Sequence, residues 1–145
     1  MHDVELWPKP INNGKNTLPV VKVADKIFIY NQDGLQCYPS EGASRPSNWR
    51  KLGETALDIA RVCAKAFEIY GEKFVTFCAR TANPVQFAQT FISSIVDGVQ
   101  NHPIWDELRN QDWSNAKIDV DVVMNVNSRC SNRSSFNSRS NFSTS

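Results

Sequence analysis

"PVVKVADKIFIYN", residues 19–31, decides how the rest of the chain is read. It is dense in β-branched and aromatic residues, which suit a pleated, half-buried surface. Val21 and Val23 alternate before Ala24-Asp25, and Ile27 and Ile29 alternate after it. The stretch predicts one strand, or a tight hairpin folded at Ala24-Asp25. With the helical patterns further on, the expected fold is α+β: one domain with two main helices packed on a small sheet.

Working back from this stretch, residues 1–18 contain Pro8, Pro10 and the run "NNGKN". These resist regular structure and predict an irregular N-terminal arm, with Trp7 able to dock on the body. Working forward, residues 31–47 hold two glycines and two prolines in seventeen positions and read as loop. A helix is then expected from a cap at Ser47 or Asn48. Its buried face would be Trp49, Leu52, Ala56, Ile59, Ala60, Cys63, Phe67 and Tyr70, with Gly71 turning left-handed to end it. "KFVTFCA", residues 73–79, is short, apolar and bounded. A helix running past Gly71 would also fit it, but a buried strand is the expectation. Asn83 caps a second helix with Pro84 in its first turn and Gln86 able to reach back to the cap. Val85, Ala88, Phe91, Ile92, Ile95, Val96 and Val99 form its inner face, and His102-Pro103 breaks it. A short helix over "PIWDELRN" follows. "KIDVDVVMNV", residues 117–126, alternates as a half-exposed strand suited to a sheet edge. The domain is thus expected over 19–127, with a disordered tail over 128–145.

The 145 residues carry 41% hydrophobic and 21% charged side chains, a globular composition long enough for one core. Formal net charge is +1, but the tail holds Arg129, Arg133 and Arg139 and no acid, so the rest of the chain carries −2. No run approaches the ~18 apolar residues of a membrane span, and "MHDVELWPKP" lacks the apolar region of a secretory signal. Neither a membrane partner nor secretion is therefore expected. Cys37, Cys63, Cys78 and Cys130 are widely spaced, and His2 and His102 adjoin no cysteine pair. Reduced thiols in an intracellular, cytoplasmic protein are the reading, with no zinc site and no cofactor.

Candidate chemistry is sparse. Asp119 and Asp121 share one strand face and can hold a divalent cation or share acid–base work, but a solvated strand face explains them as well. Cys78 and Arg80 in "FCARTANP" are too close for a phosphatase-type loop, and the apolar run around Cys78 points to core packing. No glycine-rich phosphate loop or nucleophile elbow is present. Over 26–79, strand, loop, helix and strand alternate as in a βαβ unit. With "IYNQDGLQ" after the first strand, this resembles the start of a von Willebrand factor A-type domain. That family's metal-binding serines have no counterpart beside Asp33, so no metal is expected.

The tail "SRCSNRSSFNSRSNFSTS" has too little apolar area to offset its ordering entropy. Its spaced arginines attract phosphates, and Phe136 and Phe142 can stack on unpaired bases. Three arginines give weak, salt-sensitive binding, so many copies on one strand are needed. Phosphorylation of its serines would reverse the charge and abolish that attraction. "KFVTFCARTANPVQFAQTF" resembles the C-terminal core segment of coat proteins from flexuous filamentous plant viruses. "NRSSF", residues 132–136, is similar to a stretch in rod-shaped plant-virus coat proteins. The resemblance implies non-specific RNA binding and polymerisation, with Arg80 near RNA and a virion as a second location.

The leading expectation is a non-enzymatic protein that binds single-stranded RNA or assembles with itself, viral structural or accessory in type. Arg129, Arg133, Arg139, Phe136, Phe142 and Arg80 would make the contacts. The second is a protein-interaction module with a von Willebrand A-like core, which an exposed apolar helix face or cluster around Trp105 and Trp113 would support. The third is a metal-dependent hydrolase or nuclease using Asp119 and Asp121.

Overall fold

The computed structural model describes residues 1–111 and 113. Five strands form one antiparallel sheet: β1 (His2–Ile11), β2 (Asn16–Val23), β3 (Lys26–Asn31), β4 (Gly34–Pro39) and β5 (Arg50–Thr55), in the order β4-β3-β2-β1-β5. Helices α1 (Ile59–Ile69) and α2 (Pro84–Ile95) and the short α3 (Pro103–Arg109) complete the α+β fold. The hairpin reading of residues 19–31 is the observed one. Val23 pairs with Lys26 across a two-residue turn, and Ala24 takes φ 54° to close it. Lys22 Nζ donates to the Ala24 carbonyl at 2.8 Å and braces the turn.

Residues 1–18 are not an irregular arm but β1, a turn and the start of β2. The prolines are tolerated for a geometric reason. Pro8 faces Pro19 across the β1–β2 pair, and two prolines cannot exchange hydrogen bonds, so this is a non-hydrogen-bonded position. Pro10, two residues on, shares that status. On the other side β5 pairs only with His2–Leu6, so neither proline N is called on to donate there. "NNGK" is the hairpin connection, with Asn12 and Asn13 left-handed at φ 53° and 57°, a region asparagine enters at low cost.

The expected helix start at residues 47–58 is also corrected. Residues 50–55 are β5, and α1 begins after Asp58, whose side chain accepts from the Arg61 amide. Lys51 faces Glu5 and Gly53 faces Val4, leaving Leu52 as the extra residue of a bulge. A Cβ on Gly53 would meet Val96 Cγ1 at 2.4 Å, so only glycine lets the strand approach α2's end this closely. Gly71 has no left-handed φ and ends nothing. The helix continues as a π turn over Tyr70–Phe74. Residues 73–79 therefore form no strand, and all four strand pairings are antiparallel. The βαβ unit expected over 26–79 does not exist, and the von Willebrand A resemblance loses its footing.

Register puts Leu6, Val21, Phe28 and Cys37 in line on one sheet face. Phe28 meets Phe91 of α2 edge-on at 5.0 Å, so this is the face the helices cover. The expected inner face of α2 is buried throughout, with Phe87 in addition. Trp7 is buried, its indole N–H donating to Glu5 at 2.8 Å. Trp105 and Trp113 are core residues, not an exposed cluster. No helix among the described residues is long and apolar enough to cross a membrane.

Candidate functional site

The chain leaves regular helix and strand between α1 and α2. A π turn closes the C-terminal end of α1, where wider turns commonly finish a helix. Here it redirects the chain into a tight turn at residues 78–82. The Ala82 amide donates to the Cys78 carbonyl at 2.8 Å, and the Cys78 amide donates to Ala82 at 3.1 Å. Asn83 then caps α2. Its Oδ1 accepts from the Gln86 amide, and its Nδ2 donates back to the Ala79 carbonyl, both at 2.9 Å. One buried side chain joins the two turns. The Tyr30 hydroxyl donates to the Phe74 carbonyl at 2.6 Å, with a longer bifurcated contact to Ala82 at 3.2 Å. Burial, then the nearby Tyr70 and Cys78 charges, push the Tyr30 phenol up to about 12, so it stays a donor.

Tyr30 also centres an aromatic cluster that reaches the surface. Its ring stacks on Phe77 and Phe87 and meets Phe74 and Tyr70 edge-on, and Tyr70 in turn meets Phe67. Phe67 is 46% exposed and Val75 is 61% exposed, two large apolar side chains on the outer side of this segment. Lys73 and Arg80 are exposed on the same two turns. Half of the twelve described cations are engaged in ion pairs. Arg45, Arg50, Lys51, Arg61, Lys65 and Arg109 each sit within an ion pair. Lys73 and Arg80 pair with no carboxylate among the described residues. The other unpaired lysines, at positions 9, 15, 22 and 26, lie on the strands and hairpin turns.

Cys78 is exposed, which corrects its expected place in the core. The Thr81 hydroxyl, then the backbone amides of Arg80, Thr81 and Ala82, point at its sulfur and lower its thiol to about 7. A turn of successive amides favours an anion in this way. The sequence signal was a cysteine placed just before an Asn-Pro helix start, where the chain must turn on itself.

Other candidate chemistry is thin. A shallow groove on the solvent face of α2, about 450 Å³, is lined by Gln86, Gln89, Thr90, Ser93, Ser94 and Gln100. None of these ionises near neutrality, so the groove provides neither an acid–base pair nor a charge for phosphate. No group of three metal-ligating side chains occurs among the described residues. Of the residues expected to act, Arg80 lies on the turn described above. Arg129, Arg133, Arg139, Phe136, Phe142, Asp119 and Asp121, and the strand expected over 117–126, lie outside the described residues. Phe67, Lys73 and Val75 were not singled out from the sequence, because a helix carried on to Tyr70 buries the first and a strand over 73–79 buries the last. No family model, curated protein or solved structure matches the chain.

Proposed function

We propose that this protein binds single-stranded RNA without catalysis and does so as an assembly of copies. The observation that carries the reading is the stretch from the end of α1 through the two turns, which exposes Phe67, Lys73, Val75 and Arg80, the two cations having no carboxylate partner among the described residues. Exposed rings and unpaired cations are what a sequence-tolerant reader of unpaired bases uses, the ring for stacking and the cation for phosphate. The arginines and phenylalanines of residues 128–145 add charge and rings of the same kind. A single copy holds strand weakly through so few cations, so affinity comes from copies side by side. Self-association has a suitable edge. β4 ends the sheet and its six residues carry no charge, whereas β5 at the other edge carries Arg50, Lys51 and Glu54. A charged edge discourages strand addition and an uncharged one permits it. A viral structural or accessory role fits both properties.

Size-exclusion chromatography with absorbance at 260 and 280 nm tests this on the full chain at low and high salt. A large species with excess 260 nm absorbance, dispersed by salt and lost in Lys73→Glu/Arg80→Glu, is expected. A nucleic-acid-free monomer at both salts would remove the reading.

A further inference from the structure

β4 is the last strand of the sheet, and its register with β3 fixes which of its backbone groups are used. The Ser40 amide donates to the Asp25 carbonyl at 2.8 Å, so these residues form a hydrogen-bonded pair just beyond the strands. Bonded and non-bonded pairs alternate along an antiparallel ladder. Ile27–Tyr38, Ile29–Gln36 and Asn31–Gly34 are therefore bonded pairs, and Phe28–Cys37 and Tyr30–Leu35 are not. Leu35 and Cys37 consequently turn their N–H and C=O groups away from β3, toward the open side of the sheet. No strand pairs there among the described residues, and neither amide donates to a described group. The Pro39 nitrogen faces the same way with no hydrogen to give, so the usable edge stops before it.

We propose that β4 pairs with β4 of a second copy across a two-fold axis, joining two five-stranded sheets into one. The contact rests on the function proposed above only in taking copies to associate. A second copy is the occupant that the edge itself selects. An identical strand running the other way offers a carbonyl for each free amide and an amide for each carbonyl. β4 carries no charge, so two copies bring no like charges together there.

Proline chooses the register. With Cys37 opposite Cys37, Leu35 would face Pro39, whose ring lies where a donor belongs. With Leu35 opposite Cys37, Pro39 of each copy lies outside the paired stretch and every free donor meets a carbonyl. This register sets Gln36 opposite Gln36 at the axis, a non-hydrogen-bonded pair whose side chains lie close together. Gln36 alternates with Cys37, so it lies on the sheet face away from the helices. Its Oε1 accepts from Asn31 Nδ2 at 3.4 Å, and its own amide N–H groups have no partner among the described residues. Across the axis each Gln36 can donate to the other.

Such a contact is closed. Each copy uses its β4 edge on the other, so the unit is a dimer and not a growing fibre. A short strand pair buries far less than the ~1,200–2,000 Å² of stable interfaces. The dimer is therefore weak alone and gains strength when copies sit side by side on one strand of RNA.

The test uses the full chain free of nucleic acid, so that the edge contact and RNA binding can fail separately. Amide hydrogen exchange is followed by NMR at low and high protein concentration, with sedimentation velocity alongside. Gln36 and Tyr38, bonded to β3, should exchange slowly at both. Leu35 and Cys37 should exchange fast in the monomer and slow by about tenfold or more as the dimer forms. Leu35 and Cys37 fast at both concentrations would overturn the proposal. So would both slow in the monomer, which would give the edge to another part of the same chain, residues 117–126 being the alternating segment to test next. Gln36→Lys and Gln36→Glu should each be monomeric, because like charges meet at the axis, and an equimolar mixture should restore the dimer. Single variants that stay dimeric, or a mixture that stays monomeric, would rule out the two-fold contact. Should either variant not fold, the exchange pattern of the parent protein decides alone.

Discussion

Tyr30 shows how much one atom holds at the junction of two irregular turns. Its hydroxyl serves the Phe74 and Ala82 carbonyls, and its ring touches four aromatic neighbours. Tyr30→Phe keeps the ring and leaves buried carbonyls without their donor. It should cost about 1–3 kcal/mol, read from the urea midpoint at unchanged slope. At Cys78 the effect concerns reactivity. Its thiol is lowered to about 7 from 9.0, so the folded protein holds the thiolate through a pH range in which the unfolded chain is protonated. Iodoacetamide labelling of the Cys78 peptide should rise with pH through a midpoint near 7 when folded and near 9 when unfolded. Thr81→Ala removes the largest contribution and should move the folded midpoint upward, and Thr81→Ser should restore it.

Among the elements, those built on an uninterrupted pattern were legible and those built on an interruption were not. The cap at Asn83, Pro84 and the inner face of α2 follow from sequence because nothing breaks the helical period there. Asn83→Ala should cost about 1 kcal/mol by thermal denaturation. β5 reads as helix in the sequence because the Leu52 bulge spoils the alternation that marks a strand, and the first turn of α1 lies close behind. β1 reads as an arm because its prolines look like breakers until Pro19 is known to face Pro8. The π turn was invisible, since a five-residue widening changes no side-chain type. Gly53 gives a test of the β5 assignment. Gly53→Ala drives a methyl into Val96 and should cost about 1–3 kcal/mol. In Gly53→Ala/Val96→Ala the clash is gone, so the double variant should be less destabilised than the two single costs summed, a coupling that chemical denaturation resolves.

For the whole molecule, the candidate site was only partly legible because it depends on which faces are left uncovered. Arg80 was marked from sequence, but Lys73 and Phe67 become conspicuous only when α1 runs into the π turn and leaves them outside. On the proposed reading, the charge distribution sets how RNA binding should depend on salt. Lys73 and Arg80 add to Arg129, Arg133 and Arg139, giving five cations per chain for the proposed phosphate contacts. Each phosphate neutralised on a single strand contributes roughly −0.7 to the slope of log affinity against log salt. Anisotropy titrations of a labelled oligouridine should therefore give a slope no steeper than about −3.5 per copy. Lys73→Glu/Arg80→Glu should make it shallower by about 1.4, and replacing the three tail arginines by serine by about 2. If both groups touch the same strand, the losses add. If the tail variant abolishes the slope and the turn variant leaves it unchanged, RNA meets only residues 128–145, and the exposed turns serve contact between copies instead.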